Sequence, residues 1–202
     1  MGRYLKLEQM AGESMDILIP FFSVLYSISI RRPLVRAPVW GKRRNFSGQF
    51  SSEGRNGLIE LNKAYCNIEL GYGGIVAHEL GHTATYQHHS KFFTLTGDKA
   101  KDFLYDSISE GIAMEFEKNG LEALLEAEYI TRQGFDTEIK SYGDEISCGS
   151  LFNMGCNIVN FMKRRATMKE IICSPEKHFD AVMSRYGKEI TAAAKQAQGK
   201  ST

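Results

Sequence analysis

No other stretch of this chain narrows what it can be as much as the pentad His78-Glu79-Leu80-Gly81-His82. It follows Gly71, Gly73 and Gly74 and lies in an apolar segment. Ile75, Val76 and Leu80 recur there at helical spacing, which predicts a helix from about residue 75 to Tyr86. In a helix, residues four apart sit one turn apart on the same face, so His78 and His82 can reach a single ion. Glu79 projects from nearly the same face. Two imidazoles and a carboxylate without partners would be costly to bury in such a segment. Neutral imidazole is a good zinc ligand, and a neighbouring glutamate can handle a proton of water at the metal. The pentad therefore predicts a zinc site with His78 and His82 as ligands and Glu79 as general base. A tetrahedral catalytic site needs a third protein ligand and one position left to water. Two residues compete for that place: Glu110 on the following predicted helix, and His88 just beyond the pentad.

The rest of the chain is that of an ordinary globular protein. Its 202 residues are 43% hydrophobic and 24% charged, enough to bury a core without a disulfide scaffold. This length suggests a single domain over 1–202, with a sheet and the histidine helix in about 1–90 and a helical lobe in 91–202. The net charge of +1 supplies no field for holding a polyanion, so no nucleic-acid partner is expected. Cys66, Cys148, Cys156 and Cys173 form no CxxC pair, which argues against a cysteine zinc site. Cys66 and Cys173 read as buried thiols. The N-terminus lacks the features of a signal peptide, and the apolar run from Ile17 to Ile30 contains Pro20 and is too short to span a bilayer. A cytoplasmic protein with no membrane span is the expectation.

Strands are expected early and helices late, an α+β arrangement. Val24 to Ile30 ends in apolar/polar alternation and reads as a half-buried strand. Residues 31–44, with Arg31, Arg32, Arg36, Lys42, Arg43, Arg44 and two prolines, read as a solvated edge strand or loop. Phe46 to Phe50 and Gly57 to Asn62 flank a turn-rich stretch and predict a hairpin. Asp98 is a predicted N-cap for a helix that Asn119-Gly120 would stop. Further helices are predicted over Leu121–Gln133, closed by Gly134, and over Leu151–Arg165. Thr167 to Glu170 has capping-box spacing, and a last helix opens at Ser174-Pro175 and ends at Gly187. The tail from Lys188 is expected to fray.

The pentad followed by Ser109-Glu110-Gly111-Ile112-Ala113 resembles the gluzincin group of zinc metallopeptidases. The match covers roughly residues 46 to 165. The resemblance implies a small zincin-like fold, in which a twisted mixed sheet packs on the pentad helix and a helical C-terminal half carries the third ligand. It implies peptide or protein as substrate, His78, His82 and Glu110 on zinc, and Glu79 as base. Gly57 to Asn62 falls where such enzymes place the edge strand that pairs with extended substrate. In many of them an acidic residue four positions after the ligand glutamate orients a zinc histidine. Met114 stands there in this chain, which leaves Asp106 as a candidate for that task. Glu115 and Glu117 read as solvated or salt-bridged. An oxyanion donor is also expected, with Tyr142 favoured over Tyr129, His178 and Arg185 because Tyr142-Gly143 precedes a predicted helix.

His88 keeps a rival reading open. It fits the length of the metzincin string H-E-x-x-H-x-x-G-x-x-H, with Thr85 where the glycine belongs and Met154 as a possible Met-turn. Two further alternatives are a non-catalytic zinc-binding interaction module, and an inhibitory pro-segment over 1–45 with Cys66 as a blocking thiolate.

Overall fold

The computed structural model describes residues 2–37, 48–62, 73–148 and 150–198. The elements run α1 (Gly2–Leu25), β1 (Leu34–Arg36), β2 (Gly48–Ser51), β3 (Leu58–Leu61), α2 (Gly73–His88), α3 (Lys99–Glu126), α4 (Arg132–Cys148), α5 (Ser150–Lys163), α6 (Met168–Cys173) and α7 (Phe179–Gln198). Short 3-10 turns occupy Ser90–Phe93 and Pro175–His178. This is an α+β fold in which helix dominates and a small mixed sheet packs on α2.

The expected hairpin is present. β2 and β3 pair antiparallel, Phe50 opposite Ile59. Gly54 and Gly57 turn the chain at φ of 76° and 86°, values that L side chains rarely adopt. β1 joins the other side of β3 in parallel, Leu34 opposite Leu58, so the order is β1-β3-β2. This corrects the expectation for Gly57 to Asn62: β3 is the central strand, hydrogen-bonded on both sides, and cannot accept a further strand. Among the described residues β2 is the edge on the α2 side. Of the basic stretch, residues 31–37 are described and hold the edge strand β1, while residues 38–44 lie outside the described residues; Arg32 reaches along the surface to α1, pairing with Asp16 and donating to the Gly12 carbonyl at 2.8 Å.

The N-terminal region departs most from expectation. Residues 2–25 form one helix, carrying Pro20 in its interior. Leu7, Ala11, Met15, Leu18 and Phe22 are all at most 1% exposed. They lie along one face at helical spacing. Phe22 stacks on Phe116 of α3 with ring centroids 4.2 Å apart, and Tyr26 sits 5.0 Å from the same ring. The alternation at Val24–Ile30 belongs to the end of this helix and an extended exit that makes no sheet. Ile28 and Ile30 are buried, whereas Val24 is 82% exposed. A segment so embedded in the core does not behave as a detachable cover.

Three helices approach each other closely through glycine. A Cβ on Gly81 of α2 would lie 2.6 Å from the Cα of Ala113 on α3. One on Gly111 of α3 would lie 2.3 Å from the carbonyl oxygen of Gly155 on α5. A Cβ on Gly120 would lie 2.5 Å from that of Ala77. This last contact explains why Asn119-Gly120 does not stop α3, which continues to Glu126. The glycine serves helix packing, and Asn119 donates to the Tyr26 hydroxyl at 3.0 Å. In the same way Gly134 lies inside α4 and Gly187 inside α7, and the expected frayed tail is helical to Gln198. Where an end is fixed by side-chain hydrogen bonds, expectation and structure agree. Asp98 accepts from the backbone N–H of Ala100 and Lys101 at the start of α3, and Thr167 with Glu170 forms the capping box of α6.

Cys173 is half-buried and outside any disulfide. Cys66 lies outside the described residues. Among the described residues no helix is long and apolar enough to cross a membrane.

Candidate metal centre

α2 and α3 form the most extensive helix pair of the fold, and the close approach at Gly81 sets the histidines against α3. Glu110, one turn before Ala113, points its carboxylate between them. Its Oε2 lies 3.4 Å from His78 Nε2 and 3.6 Å from His82 Nε2. One ligand atom from each of His78, His82 and Glu110 falls within 4.8 Å of the others. For zinc bonds of about 2.0–2.1 Å in a tetrahedron, neighbouring ligand atoms are roughly 3.3 Å apart. The observed spacing is that of three ligands drawn around one small cation. Glu110 Oε2 is buried and has no hydrogen-bond partner, so a polar atom with nothing to accept from is aimed at the point between the rings. The residues present fit a zinc ion.

The far side of each ring is held. His78 Nδ1 lies 3.0 Å from Glu117 Oε2, and His82 Nδ1 lies 2.9 Å from the Ser109 hydroxyl. With Nδ1–H donating in both, Nε2 on the Glu110 side is the nitrogen left for a metal once any proton on it is displaced. Orientation of a histidine therefore falls to Glu117 and not to Asp106, which makes no contact with either ring nitrogen among the described residues. Glu117 sits two turns beyond Glu110 on the same face of α3 and is 9% exposed; it is the salt-bridged residue expected, with His78 as its partner. Glu115 is the salt-bridge partner expected, engaged with Lys163. Behind Glu117, Glu138 of α4 accepts from the Gly74 backbone N–H at 2.7 Å. Burial and the charge of Glu117 push the Glu138 carboxyl up to about 7.

The electrostatics favour a positive charge at this point. Burial opposes ionisation of His78, yet the Glu110 and Glu117 carboxylates facing its two ring nitrogens and the nearby Glu79 carboxylate raise its pKa well above the usual imidazole value. Burial likewise opposes ionisation of Glu110, but the two imidazoles hold its carboxyl far below the ordinary range. Glu79 goes the other way: burial raises its pKa, only partly offset by His78 and His82. Its Oε2 is buried with no partner. The backbone of β2 presses on it, since a Cβ on Gly48 would lie 2.9 Å from Glu79 Oε1. Glu79 is thus an unsatisfied carboxylate of raised proton affinity, fixed beside the candidate ligands.

A cavity of about 410 Å³ opens over these groups, with Gly48, Gln49 and Phe50 of β2 on one side and Leu151 and Phe152 of α5 on another. No residue of α1 lines it.

The structure brings Glu110 to the histidines and leaves His88 away from them. His88 ends α2 and its Nε2 donates to the Ser29 carbonyl at 2.8 Å. Thr85 is helical, so the chain does not turn back toward the pentad, and Met154 lies within α5. Of the expected oxyanion donors, Tyr129 donates to the Met10 carbonyl of α1, and His178 ends a 3-10 turn. Arg185 lines a separate polar cavity with Arg164 and Arg165. Tyr142 is inside α4 and not in a loop before a helix, and its side chain lies outside the described residues. Comparison of the chain with protein-family models, with curated proteins and with solved structures finds no match.

Sequence reasoning gave no site role to Ser109, Glu117 or Glu138. The signal for Glu117 was present, because two helical turns separate it from Glu110. For Ser109 and Glu138 no spacing rule exists, since their roles depend on how α3 and α4 lie against α2.

Proposed function

We propose that the protein is a zinc-dependent metallopeptidase of gluzincin type, with His78, His82 and Glu110 as metal ligands and Glu79 as general base. The observation that carries this reading is the buried, partnerless Glu110 oxygen facing both imidazole Nε2 atoms, with a partnerless Glu79 carboxylate beside it. Zinc bound there would lower the pKa of a water toward about 7 and polarise the carbonyl under attack.

The chain's own residues do the rest. Glu79 accepts a proton from the attacking water as its oxygen bonds to the peptide carbonyl carbon. It then returns that proton to the amide nitrogen as the C–N bond breaks, leaving a carboxylate and an amine. The raised proton affinity of Glu79 suits both steps. Glu117 and Ser109 hold the two rings in the binding tautomer. The substrate lies extended along β2, the edge strand beside the site among the described residues, which takes over the role expected of Leu58 to Asn62.

The test is Glu79→Gln. It keeps the size and polarity of the side chain but cannot take a proton. The variant is expected to bind one zinc per chain and to lose hydrolysis of a mixed peptide library by at least about a hundredfold. Parental turnover in this variant would remove Glu79 from the reaction.

A further inference from the structure

A second cavity of about 340 Å³ adjoins the first and is not needed by the chemistry just described. Gln49, Phe50, Phe92, Phe93 and Asp106 line both, so a group entering the second lies next to one held in the first. Its walls are aromatic. Phe50 and Phe93 face each other with centroids 5.1 Å apart, and Leu95 is 85% exposed at the rim. Its polar lining includes Asp102, Tyr105 and Asp106. Two of these three are already engaged. Asp102 accepts from the Thr96 backbone N–H at 2.7 Å and from its hydroxyl at 2.6 Å. The Tyr105 hydroxyl donates to Glu176 at 3.0 Å. Asp106 makes no hydrogen bond or ion pair with any described residue, and no lysine or arginine lines either cavity among them. It is a lone carboxylate beside Asp102 and Glu110, which burial and those two charges hold in its protonated form more than usual.

We propose that this cavity is a subsite for a long cationic side chain of the substrate, lysine or arginine, with its aliphatic stem lying against the Phe50–Phe93 pair and its charge on Asp106. A purely apolar side chain would fill the aromatic walls but strip water from Asp106 without replacing it. An acidic one would meet the carboxylates of Asp102 and Asp106. A lysine or arginine satisfies both ends: its methylenes cover apolar surface, its cation neutralises Asp106, and the aromatic faces attract it further. The proposal rests on the peptidase reading, because it takes the occupant to be a residue of the peptide lying along β2.

The experiment separates the two. Binding is measured by calorimetry on zinc-loaded Glu79→Gln protein, using blocked alanine hexapeptides with one central lysine, norleucine or glutamate. Norleucine keeps the stem and removes the charge. Lysine is expected to bind at least about tenfold more tightly than norleucine, and glutamate most weakly. In the double variant carrying Asp106→Asn, lysine and norleucine should bind within about twofold of each other. With Asp106→Lys the order should invert toward glutamate. Norleucine binding as well as lysine, no measurable binding of any of the three, or a lysine preference that survives Asp106→Asn would each overturn the proposal. Failure of the zinc-loaded parent to hydrolyse any library peptide would overturn the peptidase reading instead, and the binding order would then still decide what the cavity accepts.

Discussion

Substituting Gly81 by alanine tests whether the contact between α2 and α3 sets the geometry of the metal centre. The added Cβ would lie 2.6 Å from Ala113 Cα and 3.1 Å from Ala113 N. Carbon atoms in contact prefer about 3.5–4.0 Å, so the helices must separate by about 1 Å at this crossing. The obstacle is backbone, and no side-chain rotation relieves it. Overpacking of this kind costs about 1–3 kcal/mol, while alanine gains up to about 1 kcal/mol over glycine in a helix interior. The fold should survive. The ligands should not stay in place, because Glu110 moves with Ala113, and an opening of about 1 Å exceeds the roughly 0.2 Å that zinc coordination tolerates. Zinc affinity, measured by competition with a chromophoric chelator, is expected to weaken at least about tenfold, while far-ultraviolet circular dichroism stays that of the parent. Gly187→Ala is the control. Its Cβ meets only Met183 Cε at 3.5 Å, and it should leave zinc binding unchanged while stabilising α7 slightly. Parental zinc affinity in a folded Gly81→Ala protein would refute the claim that this crossing positions Glu110.

Two further predictions concern pH. His78 carries a proton well above the usual imidazole range in the metal-free site, and zinc must displace it. Between pH 6 and 7 zinc affinity should therefore rise by about tenfold per pH unit, with about one proton released per ion, read by calorimetry in buffers of different ionisation enthalpy; affinity independent of pH in that window would contradict the charge balance derived for the site. Glu138 has a folded-state pKa raised to about 7, so the folded protein holds more protons than the unfolded chain between about pH 4.5 and 7, and stability of the chelator-treated protein falls as pH rises through that window. Glu138→Gln keeps the acceptor for Gly74 and removes the charge. It should be more stable than the parent by up to ~3 kcal/mol at pH 8 and by little at pH 4.5 in thermal unfolding, and an equal gain at both would refute the assignment.

The same chain shows where local rules read well and where they do not. The α+β class, the β2–β3 hairpin, the α2 helix, the Asp98 N-cap and the Thr167 capping box were all legible, because each rests on a pattern of residues close together in the chain. The signals that misled were glycines and alternation. Gly120, Gly134 and Gly187 carry the same residue type as a helix stop but lie inside helices, Gly120 because Ala77 leaves no room for a side chain. The long α1 was hidden by Pro20 and by the alternating residues after it, although Leu7, Ala11, Met15, Leu18 and Phe22 already marked one helical face.

At the metal centre the division has a plain physical origin. Helical periodicity is a property of the backbone, so the placing of His78, Glu79 and His82 on one face, and of Glu110 and Glu117 on another, was written in their spacing. The choice of Glu110 over His88 was not. It depends on α3 lying against Gly81 closely enough for a carboxylate to sit between two imidazoles, while the end of α2 is tied to the Ser29 carbonyl. Which strand forms the edge beside the site was likewise undecided until β1 paired with the outer side of β3. Contacts between residues distant in the chain are set by the packing of whole elements, and no local pattern encodes the distance of closest approach.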